Sequence, residues 1–385
     1  MASQAKRLSP RGLKDSLPVT DEVARSVQEG RDAFQRALKT PIPLIQNSSH
    51  PGLLVMVGPC SIHDTAAGME YAQRLAAAAK KYRGELLIAM RVYIEKPRTT
   101  VGWKGLVHDP DLVQGEESDL TRGLSVSREI MLRVAELGLP IVTEVLSPFV
   151  LPFIQDLLSC GIIGARTTES QTHREIASDA PMPVGFKNGT NGTVSVALDA
   201  IQAAAQPHSF LSVDDDGHLI DHFSAGNPDT FVVLRGGSDG PNYSAQHIRQ
   251  AELAMANARQ PVRLVVDCSH GNSMKDYRRQ PEVAANVANQ ISAGAAIAGV
   301  MLESNINPGR QNISPDGLCG LQYGVSVTDG CISWEETERV LEGLAASVRA
   351  RQTVPLTPAI SVPLSSMQKT LEKLQPSVSV VELSG

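Results

Sequence analysis

The stretch GARTTESQTHREIASDAPMPVGFKNGTNG, residues 164–192, places two cations, Arg166 and Lys187, in the same setting. Each follows a short apolar run, Ile162-Ile163 before one and Pro183-Val184-Gly185-Phe186 before the other. Each is followed by small or polar residues, Thr167-Thr168 and Asn188-Gly189-Thr190, and a helical-looking segment at 173–177 lies between them. A strand ending in a charge, then a polar loop, then a helix, is the unit from which α/β enzymes build active sites.

Working outward, the unit recurs. Apolar runs stand at 53–57, 86–90, 140–142, 161–163, 183–186, 230–234, 262–266 and 298–302. Helical patterns separate most of them, at 66–82, 125–137, 148–159, 194–205, 244–258 and 282–293. Eight strands alternating with helices predict an α/β chain folded as a (β/α)8 TIM barrel. An open doubly wound sheet would need a Gly-rich first turn, and the sequence has none there. Residues 209–227, SFLSVDDDGHLIDHFSAGN, carry an Asp-Gly turn between apolar runs and predict a β-hairpin inserted before strand six.

Three regions follow: an N-terminal arm at 1–50, the catalytic barrel at 51–351 and a C-terminal tail at 352–385. The arm is polar and Pro-punctuated. Thr20 is a good N-cap, so a helix is expected over 21–38, ending before Pro41. The tail is rich in Pro, Ser and Thr, with one short helix expected at 367–374 and no chemistry.

Composition agrees with one large barrel. Of 385 residues, 42% are hydrophobic but only 4% aromatic, which favours the Val, Ile, Leu and Ala core of parallel strands. A net charge of −6 gives no bulk drive toward nucleic acid or an anionic membrane. No run approaches the roughly 18 apolar residues of a membrane span. Residues 1–17 lack the apolar block of a signal peptide, and Asp15, Asp21 and Glu22 argue against a transit peptide. The five cysteines, at 60, 160, 268, 319 and 331, are widely spread without zinc-ribbon spacing, as in a reduced cytoplasmic protein. The two Asn-Gly-Thr tripeptides at 188 and 191 then read as loop residues, not glycosylation acceptors.

In such a barrel the chemistry sits at the C-terminal ends of the strands. These ends offer Cys60; Arg91 with Lys96 and Arg98 in the loop beyond; Glu144; Arg166; Lys187; Arg235; Asp267 with His270; and Glu303. Six are cations: Arg91, Lys96, Arg98, Arg166, Lys187 and Arg235. A lone Arg at a strand end usually pairs on the surface. Six converging in an acidic chain imply a ligand with several negative charges, phosphate or carboxylate. Cys60, His270 and Glu303, with Asp329 after the last strand, form a mixed set suited to one divalent ion: Mn2+, Fe2+, Co2+ or Zn2+. Asp267 would support His270 from behind, although neighbouring strand residues point to opposite faces.

These segments closely resemble the 3-deoxy-D-arabino-heptulosonate 7-phosphate (DAHP) synthases with an N-terminal regulatory arm. The matching stretches include GPCSIHD (58–64), MRVYIEKPRTTVGWKGL (90–106), IGARTTESQTHRE (163–175), PVGFKNGTNG (183–192), LRGG (234–237), VVDCSHGNS (265–273), GVMLES (299–304) and YGVSVTDGCISWEET (323–337). They run in family order and cover roughly residues 50 to 350.

The resemblance implies a metal-dependent transferase that condenses phosphoenolpyruvate with erythrose 4-phosphate and water, releasing phosphate. That is the first step of the shikimate pathway to aromatic amino acids. It implies that Cys60, His270, Glu303 and Asp329 hold the metal. Arg91, Lys96, Arg166, Lys187 and Arg235 would bind phosphoenolpyruvate, with Glu144 nearby, and Arg98 and Thr99 the phosphate of erythrose 4-phosphate. Lys96, Glu144, Lys187 and His270 are the candidates for catalytic roles. A homodimer or homotetramer and an aromatic amino acid effector are also implied. A sister synthase that uses arabinose 5-phosphate lacks the KPRTT loop present at 96–100. A catalytically silent relative would have little reason to keep both residue sets. One departure is Asp179-Ala180-Pro181, where the family carries Gly-Leu-Ser or Ala-Leu-Ser in a segment linked to effector binding. Weakened inhibition by Phe or Tyr is the expectation.

Overall fold

The computed structural model describes residues 8–39, 52–113, 119–314 and 316–352. Eight strands close into a barrel: β1 Leu53–Gly58, β2 Leu86–Arg91, β3 Ile141–Glu144, β4 Cys160–Ile163, β5 Val184–Lys187, β8 Thr230–Leu234, β9 Leu264–Asp267 and β10 Ile297–Glu303. All neighbours run parallel, and β1 pairs with β10 to complete the ring. Each strand lies within a few residues of its apolar run.

Side chains alternate about the wall, as a pleat demands. Leu54, Met56, Ala89, Val142, Ile162, Val233, Val265 and Met301 fill the barrel. Leu53, Val55 and Val57 belong instead to the outer core shared with the helices. Those helices are α3 Thr65–Lys81, α4 Leu120–Glu136, α5 Gln171–Asp179, α6 Ser195–Ala204, α7 Ala245–Asn257, α8 Gln280–Ser292 and α9 Trp334–Gln352.

Two helices precede the barrel, α1 Pro10–Ser16 and α2 Asp21–Lys39. α2 closes the barrel floor. Its Phe34 and Leu38 belong to the same buried cluster as the inward strand residues. Gly30 packs so tightly on Ser159 and Pro140 that a Cβ there would lie 2.6 Å from the Ser159 hydroxyl. Both neighbours precede strands, so α2 crosses the N-terminal end of the barrel, opposite the site. The segment expected as an arm thus supplies its own barrel with a plug. Residues 40–50, and the tail from 353 with its expected helix, lie outside the described residues.

The hairpin is β6 His208–Val213 with β7 Leu219–Ser224, antiparallel and inserted between β5 and β8. Its Asp214 side chain accepts the N–H groups of Asp216 and His218, and Gly217 at φ +86° completes the turn. Arg11 and Lys14 of α1 pair with Asp216 and Asp215 at that turn.

One expectation fails. The helix expected over 148–159 is two short 3-10 turns, Leu151–Phe153 and Gln155–Leu157. Pro152 has no N–H and cannot sit inside an α-helix without a broken bond. The freed carbonyls are capped by arginines from neighbouring helices. Arg128 donates to Phe153 O at 2.9 Å, and Arg31 donates to Gln155 O at 2.7 Å and Leu158 O at 2.9 Å. Arg128 is fully buried and also grips Asp156 through two bonds of 2.7 Å. Removing one partner of a buried pair costs about 3–5 kcal/mol, and the partly exposed Asp156 puts this case at the lower end. Arg128→Ala should therefore lower the melting temperature by several degrees in a thermal melt, with substrate KM values unchanged. An unchanged melt would refute this account.

Candidate active site

At the C-terminal rim, strand β1 runs into Pro59 and Cys60. Cys60 is fully buried, and the Lys96 ammonium donates to its Sγ and to its carbonyl, each at 3.2 Å. Arg91 ends β2 with no exposed surface. Its guanidinium stacks 4.0 Å from the Tyr93 ring centroid and donates one bond of 3.1 Å to Glu303. Its Nε and Nη1 are buried without a partner among the described residues. Buried cationic donors rarely stay unpaired in a finished site.

The loop after β2 folds back on itself. Lys96 N–H donates to Lys104 O at 2.9 Å, and Arg98 Nε donates to Trp103 O at 2.7 Å. Thr99 Oγ1 accepts from Arg166 at 2.9 Å, which ties this loop to the end of β4. Glu144 ends β3 against Gly164; a side chain at 164 would collide with its carboxylate. Lys187 ends β5 and donates to Asp267 at 2.8 Å across the intervening β8.

Glu303 ends β10, fully buried, and accepts from Ser269 Oγ at 2.9 Å. Gln280 clamps its backbone from both sides, at 2.8 and 2.9 Å. Burial alone would raise its carboxyl; His270, Arg91 and Lys96 outweigh that and bring it down to about 2. Burial, reinforced by Glu303, pushes the Cys60 thiol up to about 11. Burial also acts to lower Lys96, but Cys60, Glu303 and Glu144 outweigh it and raise the ammonium.

The ligand atoms of Cys60, Glu303 and Asp329 lie within 4.8 Å of one another, a group that could hold a metal ion. His270 stands outside this tight trio, with Nε2 3.9 Å from Glu303 Oε1. One cavity of about 680 Å3 gathers the rest: Arg91, Lys96, Arg98, Thr99, Glu144, Arg166, Lys187, Arg235, His270, Glu303 and Asp329 all line it. Cys60 lies behind that lining, covered by Lys96.

Several residues escaped sequence reasoning. Tyr93 lines the cavity, and its buried hydroxyl has no partner among the described residues. Lys275 and Arg310 add cations to the lining. Three buried asparagines frame the strand ends. Asn188 accepts Arg235 N–H at 2.7 Å and Asn242 Nδ2 at 3.1 Å, and Asn242 N–H donates to Asn272 Oδ1 at 2.8 Å. Asn188 directly follows Lys187, and Asn272 follows His270 by two. That adjacency was the available signal, because buried amides beside functional charges usually fix backbone geometry.

Comparison with known proteins agrees with this geometry. The sequence model of the DAHP synthetase I family matches residues 40–342. The Phe-sensitive phospho-2-dehydro-3-deoxyheptonate aldolase of Escherichia coli K12 is 45% identical over 346 residues, covering 90% of this chain and 95% of that protein. The tyrosine-inhibited phospho-2-dehydro-3-deoxyheptonate aldolase of Schizosaccharomyces pombe is 45% identical over 343 residues, 88% of this chain and 90% of its own. A solved structure of the Francisella tularensis phospho-2-dehydro-3-deoxyheptonate aldolase superposes with a TM-score of 0.84 at 39% identity, covering 91% of this chain and 99% of that one. With its closed parallel barrel and a cation-lined cavity at the strand ends, the chain belongs to the DAHP synthetase I family.

Proposed function

We propose that the cavity condenses phosphoenolpyruvate with D-erythrose 4-phosphate and water to give DAHP and phosphate. The observation that carries this is Arg91, which has two buried donors unpartnered among the described residues and lines a cavity with seven further cations, Lys96, Arg98, Arg166, Lys187, Arg235, Lys275 and Arg310. Such a site calls for a bound anion, and phosphoenolpyruvate carries both a phosphate and a carboxylate.

In this reading Arg91, Lys96, Arg166, Lys187 and Arg235 hold phosphoenolpyruvate with C3 toward the aldehyde. Arg98 and Thr99 hold the far phosphate of the aldose. The Thr99–Arg166 bond of 2.9 Å supports a shared frame for the two substrates. Cys60, His270, Glu303 and Asp329 would hold one divalent ion, Mn2+, Fe2+, Co2+ or Zn2+; thiol, imidazole and carboxylate donors fit such ions. Such an ion would supply Lewis-acid polarisation of the aldehyde oxygen. Lys96, beside Cys60, is placed to give that oxygen a proton as C3 attacks. Glu144 would take the proton from the water that adds at C2, with the Lys187 ammonium balancing the charge, and the resulting phosphohemiketal would lose phosphate by breaking its C2–O bond.

Two relatives carry effector names, Phe-sensitive and tyrosine-inhibited. In this chain α5 ends at Asp179, which accepts a bond of 2.7 Å from His222 of the hairpin, and Pro181 then offers no N–H. Catalysis should be intact, with inhibition by Phe or Tyr weakened or altered. A homodimer or homotetramer belongs to the same reading. Leu211, Leu219 and Phe223 stand 70%, 66% and 68% exposed on one face of the hairpin.

A phosphate-release assay over a metal panel tests the whole. Activity should appear with erythrose 4-phosphate, not arabinose 5-phosphate, should vanish with chelator, and should persist at micromolar Phe or Tyr. Preference for the five-carbon aldose would overturn the substrate reading, and tight inhibition by Phe or Tyr the effector reading.

A further inference from the structure

We propose that Asp267 is a positioning residue shared by the two halves of the site. One buried carboxylate oxygen holds both the Lys187 ammonium of the phosphoenolpyruvate cradle and the His270 imidazole of the metal set. The proposal rests on the reading above, and it extends to Lys187 the support of His270 that the sequence suggested for Asp267.

Both contacts go to the same atom. Lys187 Nζ donates to Asp267 Oδ2 at 2.8 Å, and His270 Nδ1 lies 2.9 Å from the same oxygen, a charge contact whose angle falls short of a hydrogen bond. The other oxygen accepts the Ser269 N–H at 3.0 Å, which fixes the plane of the carboxylate. Asn272 holds the Asp267 carbonyl from outside at 2.9 Å. Asp267 has no exposed surface, so its charge is answered only by protein groups. Arg91 and Arg235 add attraction from farther away.

The backbone explains how a strand residue reaches a neighbour three positions on. Val265 faces the barrel interior, so Asp267, two residues later, does too. The chain then turns at Ser269, and His270 adopts φ +57°, a left-handed conformation uncommon for a residue other than glycine. That turn brings the imidazole back over the carboxylate. A backbone conformation of this kind persists only where surrounding bonds enforce it. Here the Ser269 N–H bond and a 2.7 Å bond from Lys275 N–H to His270 O do so.

The chemical consequence is a choice of ring nitrogen. With Nδ1 turned to Asp267, Nε2 faces Glu303 at 3.9 Å, on the metal side. Carboxylates behind metal-binding histidines act in this way. The same oxygen draws Lys187 inward from β5, so the position of one substrate cation and of one metal ligand share an anchor.

The test uses the full chain, stripped of metal, with Mn2+ and phosphoenolpyruvate titrated separately by calorimetry. His270→Ala should weaken Mn2+ binding alone, and Lys187→Ala phosphoenolpyruvate binding alone. Asp267→Asn keeps the shape and should weaken both, Mn2+ by about 10- to 100-fold. Loss of only one affinity, or of neither, would overturn the proposal. Should Asp267→Asn fail to melt cooperatively, Asp267→Asn with Lys187→Met removes the stranded ammonium. That pair should bind Mn2+ more weakly than Lys187→Met alone, and equal binding overturns the proposal. Undiminished Mn2+ binding by His270→Ala would instead remove His270 from the metal set, and with it the proposal's foundation.

Discussion

The Cys60→Ala protein is expected to melt cooperatively, lose its divalent ion on dialysis, and release phosphate at no more than about one-thousandth of the parent rate. Folding should survive because the change removes one sulfur from a site whose backbone is held by strand pairing, not by the thiol. Activity should not survive. Without Cys60 the proposed ligand set keeps two carboxylates, Glu303 and Asp329, and the His270 imidazole, and its only soft donor is gone.

The thiol also predicts a proton count. Burial and Glu303 push it up to about 11 in the metal-free chain, so at neutral pH it is protonated, whereas as a metal ligand it would act as the thiolate. Loading the parent protein should therefore release a proton, visible as a calorimetric heat that varies with the ionisation enthalpy of the buffer. The variant should lack that proton. Near-parental turnover with bound metal would sink the ligand assignment.

Sequence reasoning reached the barrel because its evidence is local. Each strand is an apolar run, and seven of the eight runs lead to a charge, the first to Cys60. Since strand ends converge in a closed barrel, the list of end residues was already a list of neighbours, and Arg91, Glu144, Arg166, Lys187 and Glu303 fall on one cavity. What stayed hidden depends on contacts between distant segments. Phe34 and Leu38 read as one face of an ordinary amphipathic helix; nothing local says that they plug the barrel floor. Residues 148–159 are apolar enough for a helix, yet Pro152 tips the balance, and only the structure shows Arg31 and Arg128 capping the loose carbonyls. The pairing of Asp267 with His270 looked wrong for a strand and becomes right because His270 leaves the strand with a positive φ. Lys275 and Arg310 lie several residues beyond their strands, outside any rule about strand ends.

Arg91→Ala should raise the KM for phosphoenolpyruvate steeply and leave that for erythrose 4-phosphate nearly unchanged. Arg91 has one bond to Glu303 and two idle buried donors, so the substrate would take two charge-assisted bonds. At about 1.5–3 kcal/mol for each bond to a charged group, their loss amounts to roughly 3–6 kcal/mol, on the order of a hundredfold to ten-thousandfold in kcat/KM. A second cost falls on Glu303, whose low carboxyl depends on His270 and then on Arg91. With Arg91 removed it keeps His270, Lys96 and the Ser269 hydroxyl, so the fold should hold while the melting temperature falls. Arg91→Lys separates charge from shape. A lysine restores the positive charge but not the planar fork or the stacking on Tyr93, so it should recover stability more than phosphoenolpyruvate affinity. If Arg91→Ala raised both KM values equally, Arg91 would be holding the rim in shape without binding one substrate, and the cavity's anion would have to sit elsewhere among the remaining cations.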